Sequence, residues 1–264
     1  MKHQLNGADI HIATGGVDFD PKGRALVFLH GSGQSHLTWV QQSRFFAHRG
    51  YSVLAPDFPA HGLSSGDPLT SIADQADWVI SLLDSLDVKT ATLIGHSQGV
   101  LVALEAASRH ADRIDALTLI AGAMAIPVNE ALIDMAQSRP HKAFEMMTSW
   151  GHGPGAHKFD NTQPGHAFLG YGRRVMAQNE NGALHADLVA CNSYEDGPAA
   201  AASVSQPSLC LLAAKDKMTP IKFGKQMAQT IPGAQSEIFD RAGHFLPAEF
   251  PLEVNSAIAA FLAR

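Results

Sequence analysis

Five residues, Gly95-His96-Ser97-Gln98-Gly99, constrain this chain more than any other stretch. The residues just before them, 92–94, are β-branched or apolar and read as a strand. Those just after, to about 110, carry apolar residues at helical spacing. A chain passing from strand to helix in so few residues must turn sharply. Side chains two before and two after the serine would collide in that turn, and glycine at both places removes the collision. The turn leaves the Ser97 hydroxyl exposed at the top of a sheet, above a helix N-terminus that favours negative charge.

The rest of the chain alternates in the same manner. Strands are expected at 8–12, 24–29, 51–55, 114–120, 207–213 and 236–239, and helices at 37–48, 71–86, 221–230 and 251–262. Several of the strands are almost wholly apolar, as strands covered on both faces are. The fold class is therefore α/β, with a mostly parallel central sheet and helices on both faces. Between 123 and 205 the rhythm breaks. A helical stretch is expected over 128–148 and shorter helices over 168–179 and 182–194, separated by a Gly-, His- and Pro-rich run. A connection this long is seldom without purpose. The expected organisation is a core of residues 1–122 and 206–264, with a helical cap of residues 123–205 inserted after the sixth strand.

Composition narrows the function classes. The net charge of −6 gives no footprint for nucleic acid or anionic membrane. No run of 18 apolar residues is present, so no membrane span is expected, and the first ten residues lack the apolar stretch of a secretory signal. The two cysteines, Cys191 and Cys210, sit in no metal or redox spacing and read as free thiols of a cytoplasmic chain. The 123–205 segment holds five histidines together with Asp160 and Asp187, but their spacing matches no metal motif, and neither metal nor cofactor is expected.

In a parallel sheet, reactive groups gather outside the carboxyl ends of the strands. Ser97, Asp216 and His244 follow three such ends, in the chain order of a nucleophile, an acid and a base. His244 is the candidate base for the Ser97 proton, and Asp216 the candidate partner that fixes its tautomer. Asp240, four residues before His244, is a rival acid with a turn role. His30-Gly31-Ser32-Gly33 ends another strand. The backbone N–H groups of Ser32 and Gln98 are the candidate pair for an oxyanion. His30, Gly31, Asp57 and His96 are expected to support these loops, with Asp57 bonded to loop amides. Met124, Trp150, Phe168 and Phe245 are candidates for a pocket wall, and Phe159 for the core of the inserted segment.

These motifs resemble the α/β-hydrolase superfamily, in its cap-bearing branch of serine esterases and C–C bond hydrolases. The likeness rests on His30-Gly31, Asp57 with His61-Gly62 and Ser64, the 95–99 pentapeptide, Asp216 with Pro220, and Gly243-His244. It spans roughly 20–122 and 207–264. The resemblance implies a serine hydrolase of a small or medium carboxylic ester, with the cap over its site. Dehalogenases and epoxide hydrolases of this branch use an aspartate where this chain has Ser97. C–C bond hydrolases keep the serine and a similar His-Gly-Ser-Gly loop, but their following proline and asparagine are here replaced by Gln34-Ser35-His36-Leu37. C–C bond hydrolysis, thioester or lactone hydrolysis and a non-catalytic ligand receptor are the alternatives. A small-molecule ester is the expected partner, and a homodimer is compatible with the reading.

Overall fold

The chain opens with a hairpin that the sequence reading passed over. Asn6 and Gly7 take φ of 51° and 82° and join strand β1 (Lys2–Leu5) to strand β2 (Ala8–Ala13). Two consecutive residues with positive φ match the twist of an antiparallel pair, and Asn-Gly adopts that turn readily. The computed structural model describes residues 1–157, 163 and 165–263. Phe159 and Asp160 lie outside the described residues.

The alternation then runs as expected. Strand β3 (Ala25–Leu29) is followed by a 3-10 turn over His36–Trp39 and helix α1 (Val40–Ala47). Next come β4 (Ser52–Pro56), α2 (Ile72–Ser85), β5 (Ala91–His96), α3 (Gln98–Arg109) and β6 (Ile114–Ile120). Helices α4 (Glu130–Ser138), α5 (Pro140–Gly151), α6 (Phe168–Met176), α7 (Ala183–Ser193) and α8 (Gly197–Ser203) separate β6 from β7 (Ser208–Ala213). The chain closes with α9 (Ile221–Thr230), β8 (Gln235–Phe239), α10 (Leu246–Glu249) and α11 (Pro251–Leu262). The single helical stretch expected over 128–148 is two helices. Pro140 opens the second of them, because a proline inside a helix has no N–H to give and clashes with the preceding turn.

The eight strands form one sheet in the order β1-β2-β4-β3-β5-β6-β7-β8, parallel from β4 to β8 and antiparallel at β1–β2 and β2–β4. Its strands divide their side chains by twos. Val27, Leu29, Leu93, Leu117, Leu119 and Leu212 join a cluster with α2, α3 and α8. Leu26, Phe28, Ile94, Ile120, Leu209 and Leu211 join a second with α1 and α11. Both faces are thus dry, which is why these strands read as apolar throughout. A third, smaller cluster lies among α4, α5, α6 and α7, and Phe245 from the loop after β8 reaches into it. No described helix is long and apolar enough to cross a membrane.

Register fixes where the loops meet. Leu29 pairs with Gly95, and His96 with Ile120, so the loops after β3, β5 and β6 leave the sheet side by side.

Candidate active site

Ser97 stands at the turn with φ 56° and ψ −118°, a conformation that L-residues avoid. Such a residue stores about 1–3 kcal/mol of strain and is held by its surroundings. Here the Ser97 N–H donates to the Ile120 carbonyl at 3.1 Å, and the Val100 N–H closes the first turn of α3 on Ser97 O at 2.9 Å. A Cβ on Gly95 would lie 2.2 Å from the Gly99 carbonyl oxygen, so the turn closes only with glycine there. Gly95→Ala must push strand and helix apart, which costs about 2–4 kcal/mol. In a chain of this length the melting temperature is expected to fall by roughly 5–15 °C. Calorimetry checks this, and an unchanged Tm would contradict the packing argument.

Asp216 and His244 come together although 28 positions apart. His244 Nδ1 faces Asp216 Oδ2 at 2.8 Å, and both side chains are buried. Asp216 Oδ1 accepts the Met218 and Thr219 N–H groups at 2.8 Å each, and the Thr219 hydroxyl donates toward Oδ2 at 2.7 Å. Burial alone would raise the Asp216 pKa. The charge and hydrogen bond of His244, with the Thr219 donors, reverse this and hold the carboxyl below its ordinary range. An ionised Asp216 only accepts, so Nδ1 is the donor, and Nε2 is the ring nitrogen left to take or give the proton of catalysis. The rest of His244 is equally held. Its N–H donates to the Gly151 carbonyl at 2.6 Å, and its carbonyl accepts His96 Nε2 at 2.7 Å. Burial, then the neighbouring His244, push His96 down to about 3, so His96 is a neutral support.

Ser97 and His244 line one cavity of about 210 Å³. Gly31 and Ser32 from the loop after β3 line it as well. A Cβ on Gly31 would sit 2.9 Å from Ser97 Cβ, so its absence lets that loop approach the serine. Residues 31–34 form a turn closed by the Gln34 N–H on the Gly31 carbonyl at 3.0 Å, with Gly33 at φ 65°. Of the two central N–H groups, that of Gly33 is bonded to Asp187 at 2.7 Å, and Ser32, at the cavity wall, carries the other. Gln98 opens α3, where the first N–H groups have no partner within the helix.

The apolar wall is partly as expected. Phe245 lines the cavity, and Trp150, 51% exposed, stands at its rim with Lys217. Leu132, Met147, Met176 and Leu188 line it from the helical segment, and Ile126, Val128 and Met218 from the loops after β6 and β7. Met124 and Phe168 correct the expectation. Met124 is buried in the core cluster that includes α3 and does not line the cavity. Phe168 is buried behind the wall, its ring 5.5 Å from that of His152, which in turn stacks on Phe245 at 4.4 Å.

His30 and Asp57 sit behind the cavity and hold its loops. The His30 ring, at 3.0 Å from the Gly31 carbonyl, accepts the Phe58 N–H on Nε2 at 3.2 Å; burial pushes its pKa down to about 4. Asp57 accepts the His36 N–H at 2.6 Å, the Leu63 N–H at 3.0 Å and the His36 ring at 2.8 Å. His11, His36 and Asp57 bring ligand-type atoms within 4.8 Å of one another, the one such group among the described residues. The Asp57 oxygens there are already taken up by the loop amides and the His36 ring.

Three participants escaped the sequence reading. Thr219 supports Asp216. Glu249 Oε2 accepts the Gly153 N–H at 2.9 Å and the Gly243 N–H at 3.2 Å, tying the end of α5 to the residue before His244. Burial raises Glu249 to about 7 against the pull of those amides. Asp187, noted before only among possible metal ligands, is wholly engaged beneath the 31–34 turn.

Relatives agree with this architecture. An epoxide hydrolase of Caballeronia sordidicola is 34% identical over 119 residues, 42% of this chain and 33% of that one. Protein ABHD8 of Bos taurus is 24% identical over 249 residues, 90% of this chain and 55% of that one. The chain thus spans a third to about half the length of these two. An (E)-2-((N-methylformamido)methylene)succinate hydrolase of Acinetobacter baylyi is 23% identical over 248 residues, covering 91% of both chains. The enol-lactonase structure from Burkholderia xenovorans LB400 superposes with a TM-score of 0.89 at 22% identity, covering 100% of each chain. The sequence model of the family described as "Alpha/beta hydrolase family" matches residues 26–257, and the chain belongs to that family.

Proposed function

We propose that this chain is a serine hydrolase that cleaves a small carboxylic ester through an acyl-enzyme. The observation that carries the reading is the pairing of Asp216 with His244 at one cavity with Ser97. Ser97 Oγ attacks the carbonyl carbon while His244 Nε2 takes its proton. The carbonyl oxygen gains the electron pair and is met by the Ser32 and Gln98 N–H groups. The intermediate collapses, the C–O bond breaks, and the alcohol leaves with the proton from His244. Water then attacks the acyl group, gives a proton to His244, and the acid departs as Ser97 regains that proton. Residues 123–205 serve as the cap, since α4 to α7 carry most of the apolar wall and a small core of their own.

The cavity lies below the ~300–1,000 Å³ of common ligand sites, which favours short acyl chains. Intact mass after treatment with a fluorophosphonate, together with a p-nitrophenyl ester series from acetate to decanoate, tests the reading. A single adduct lost in Ser97→Ala, with turnover greatest on the shortest esters, is the expected result. No adduct and no turnover would reject it. A lactone is the favoured second substrate class, because an enol-lactonase shares the whole fold and a lactone is a cyclic ester. The name of the Acinetobacter relative keeps hydrolysis of other carbonyl compounds in the test series. The epoxide hydrolase likeness covers under half of this chain, and the elbow here carries a serine.

A further inference from the structure

Helix α7 is buried around most of its circumference, and one of its buried residues is an acid, Asp187. An acid placed so needs partners. Its Oδ2 accepts the Gly33 N–H at 2.7 Å and faces His61 Nε2 at 2.9 Å, and its Oδ1 accepts Gln98 Nε2 at 3.1 Å. Gly33 directly follows Ser32, and Gln98 directly follows Ser97. One carboxylate from the helical segment is therefore bonded to both pieces of chain that carry the proposed oxyanion donors. Its neighbours reinforce the link. Asn179 donates Nδ2 to the Gly33 carbonyl at 2.8 Å and accepts the Gly62 N–H at 2.9 Å, while Leu184 fills the space beneath Gly33.

A bare negative charge there would oppose the oxyanion forming a few bonds away. His61 answers it. Its Nδ1 lies 2.9 Å from the Pro59 carbonyl, which only accepts, so Nδ1 carries a hydrogen. Its Nε2 faces the carboxylate. With both nitrogens donating, the ring is an imidazolium.

We propose that Asp187 and His61 are positioning residues, a buried ion pair that holds the two halves of the oxyanion hole together while cancelling its own charge. The proposal rests on the serine hydrolase reading given above. Burial works against the charged form of both groups, and their mutual attraction overrides it, raising His61 and lowering Asp187. The other titratable neighbours stay neutral or lie further off. His30, whose ring is 5.0 Å from His61, is pushed down to about 4, and the Cys191 thiol beside Ser32 is pushed up to about 12, in both cases by burial. Asp57 adds a weaker pull that also favours the imidazolium.

The sign follows from the raised pKa. The pair is intact below the ordinary histidine value of 6.5 and is lost as pH rises through the higher folded value. The wild-type kcat is therefore expected to fall on the alkaline side as His61 loses its proton. His61→Gln leaves the Asp187 charge unbalanced and is expected to lower kcat about 100-fold with KM changed less than threefold, the mark of a group felt in the transition state. The double variant His61→Gln/Asp187→Asn removes both charges. It is expected to recover to within about tenfold of wild type and to lose the alkaline limb. Kinetics on p-nitrophenyl acetate across about pH 5–10, below each variant's own Tm, measure all of this. A double variant no better than His61→Gln, or one that keeps the alkaline limb, overturns the pairing. Where a variant does not fold, the wild-type profile decides, and a kcat that shows no fall on the alkaline side of 6.5 up to the pH at which the protein unfolds overturns it. Turnover that survives in Ser97→Ala would instead overturn the serine hydrolase reading, so the two failures are distinguishable.

Discussion

Ser97→Ala is expected to lower kcat on p-nitrophenyl acetate by about four to six orders of magnitude, with KM little altered. The fold itself places the residue under this demand. The strained backbone at φ 56° is maintained by the Ile120 carbonyl and the first turn of α3, so the hydroxyl stands at the cavity wall rather than relaxing into the helix. Alanine keeps the backbone bonds, the two close-packed glycines and the cavity, and it removes only the nucleophile. The Ser32 and Gln98 N–H groups still meet the carbonyl, which is why a remnant of catalysis over water is expected to persist. The same substitution also tests the strain. A non-glycine residue at this φ is held at a similar penalty in serine and alanine, so the Tm is expected to stay within a few degrees. Turnover above about one percent of wild type would remove Ser97 from the nucleophile's role.

The catalytic candidates were legible for a physical reason. Each lies in the loop beyond a strand's carboxyl end, and strands in a parallel sheet are near-continuous apolar runs that end abruptly, so 24–29, 114–120 and 207–213 could be read almost to the residue. Some local signals are stronger than the periodicity around them. Asn6-Gly7 is a hairpin turn, but the strand before it, Lys2–Leu5, buries only Leu5 and shows no apolar alternation. Pro140 divides what reads as one apolar helical stretch, because periodicity continues across the break while the backbone does not. The cavity wall was the least legible part. Phe168 and Met124 have the same apolar character as Phe245 and Met147, and only the packing of α6 and α3 decides which face the cavity. Asp187 left a trace of a different kind. A helix apolar on nearly every side is a buried helix, and an acid within it must have found donors. Which donors depended on the loops after β3 and β4, more than 120 residues earlier.

Asp216→Asn is expected to lower kcat by about 10³–10⁴-fold, because the geometry forces the wrong histidine tautomer. Asp216 Oδ1 accepts two backbone N–H groups, from Met218 and Thr219, each at 2.8 Å. In the asparagine variant only the amide oxygen can accept them, so that oxygen must occupy the Oδ1 position. The amide NH₂ is then fixed where Oδ2 was, 2.8 Å from His244 Nδ1. A donor there makes Nδ1 the acceptor and moves the ring hydrogen to Nε2, which can no longer take the Ser97 proton. The other restraints on His244, the Gly151 carbonyl and His96, remain in place, so the ring does not swing away to restore itself. Fluorophosphonate labelling needs the same proton transfer and is expected to slow in parallel with ester turnover, whereas both would be nearly unaffected if Asp216 served only to shape its own loop. The stability effect has a definite sign as well. Asp216 is held below its ordinary value of 3.8, so its pairing contributes fully above that value and is lost as pH falls through the lower folded value. The Tm difference between wild type and Asp216→Asn is therefore expected to shrink on acidification below about pH 4. A loss of kcat under tenfold would show that the 2.8 Å contact with His244 is packing rather than tautomer control.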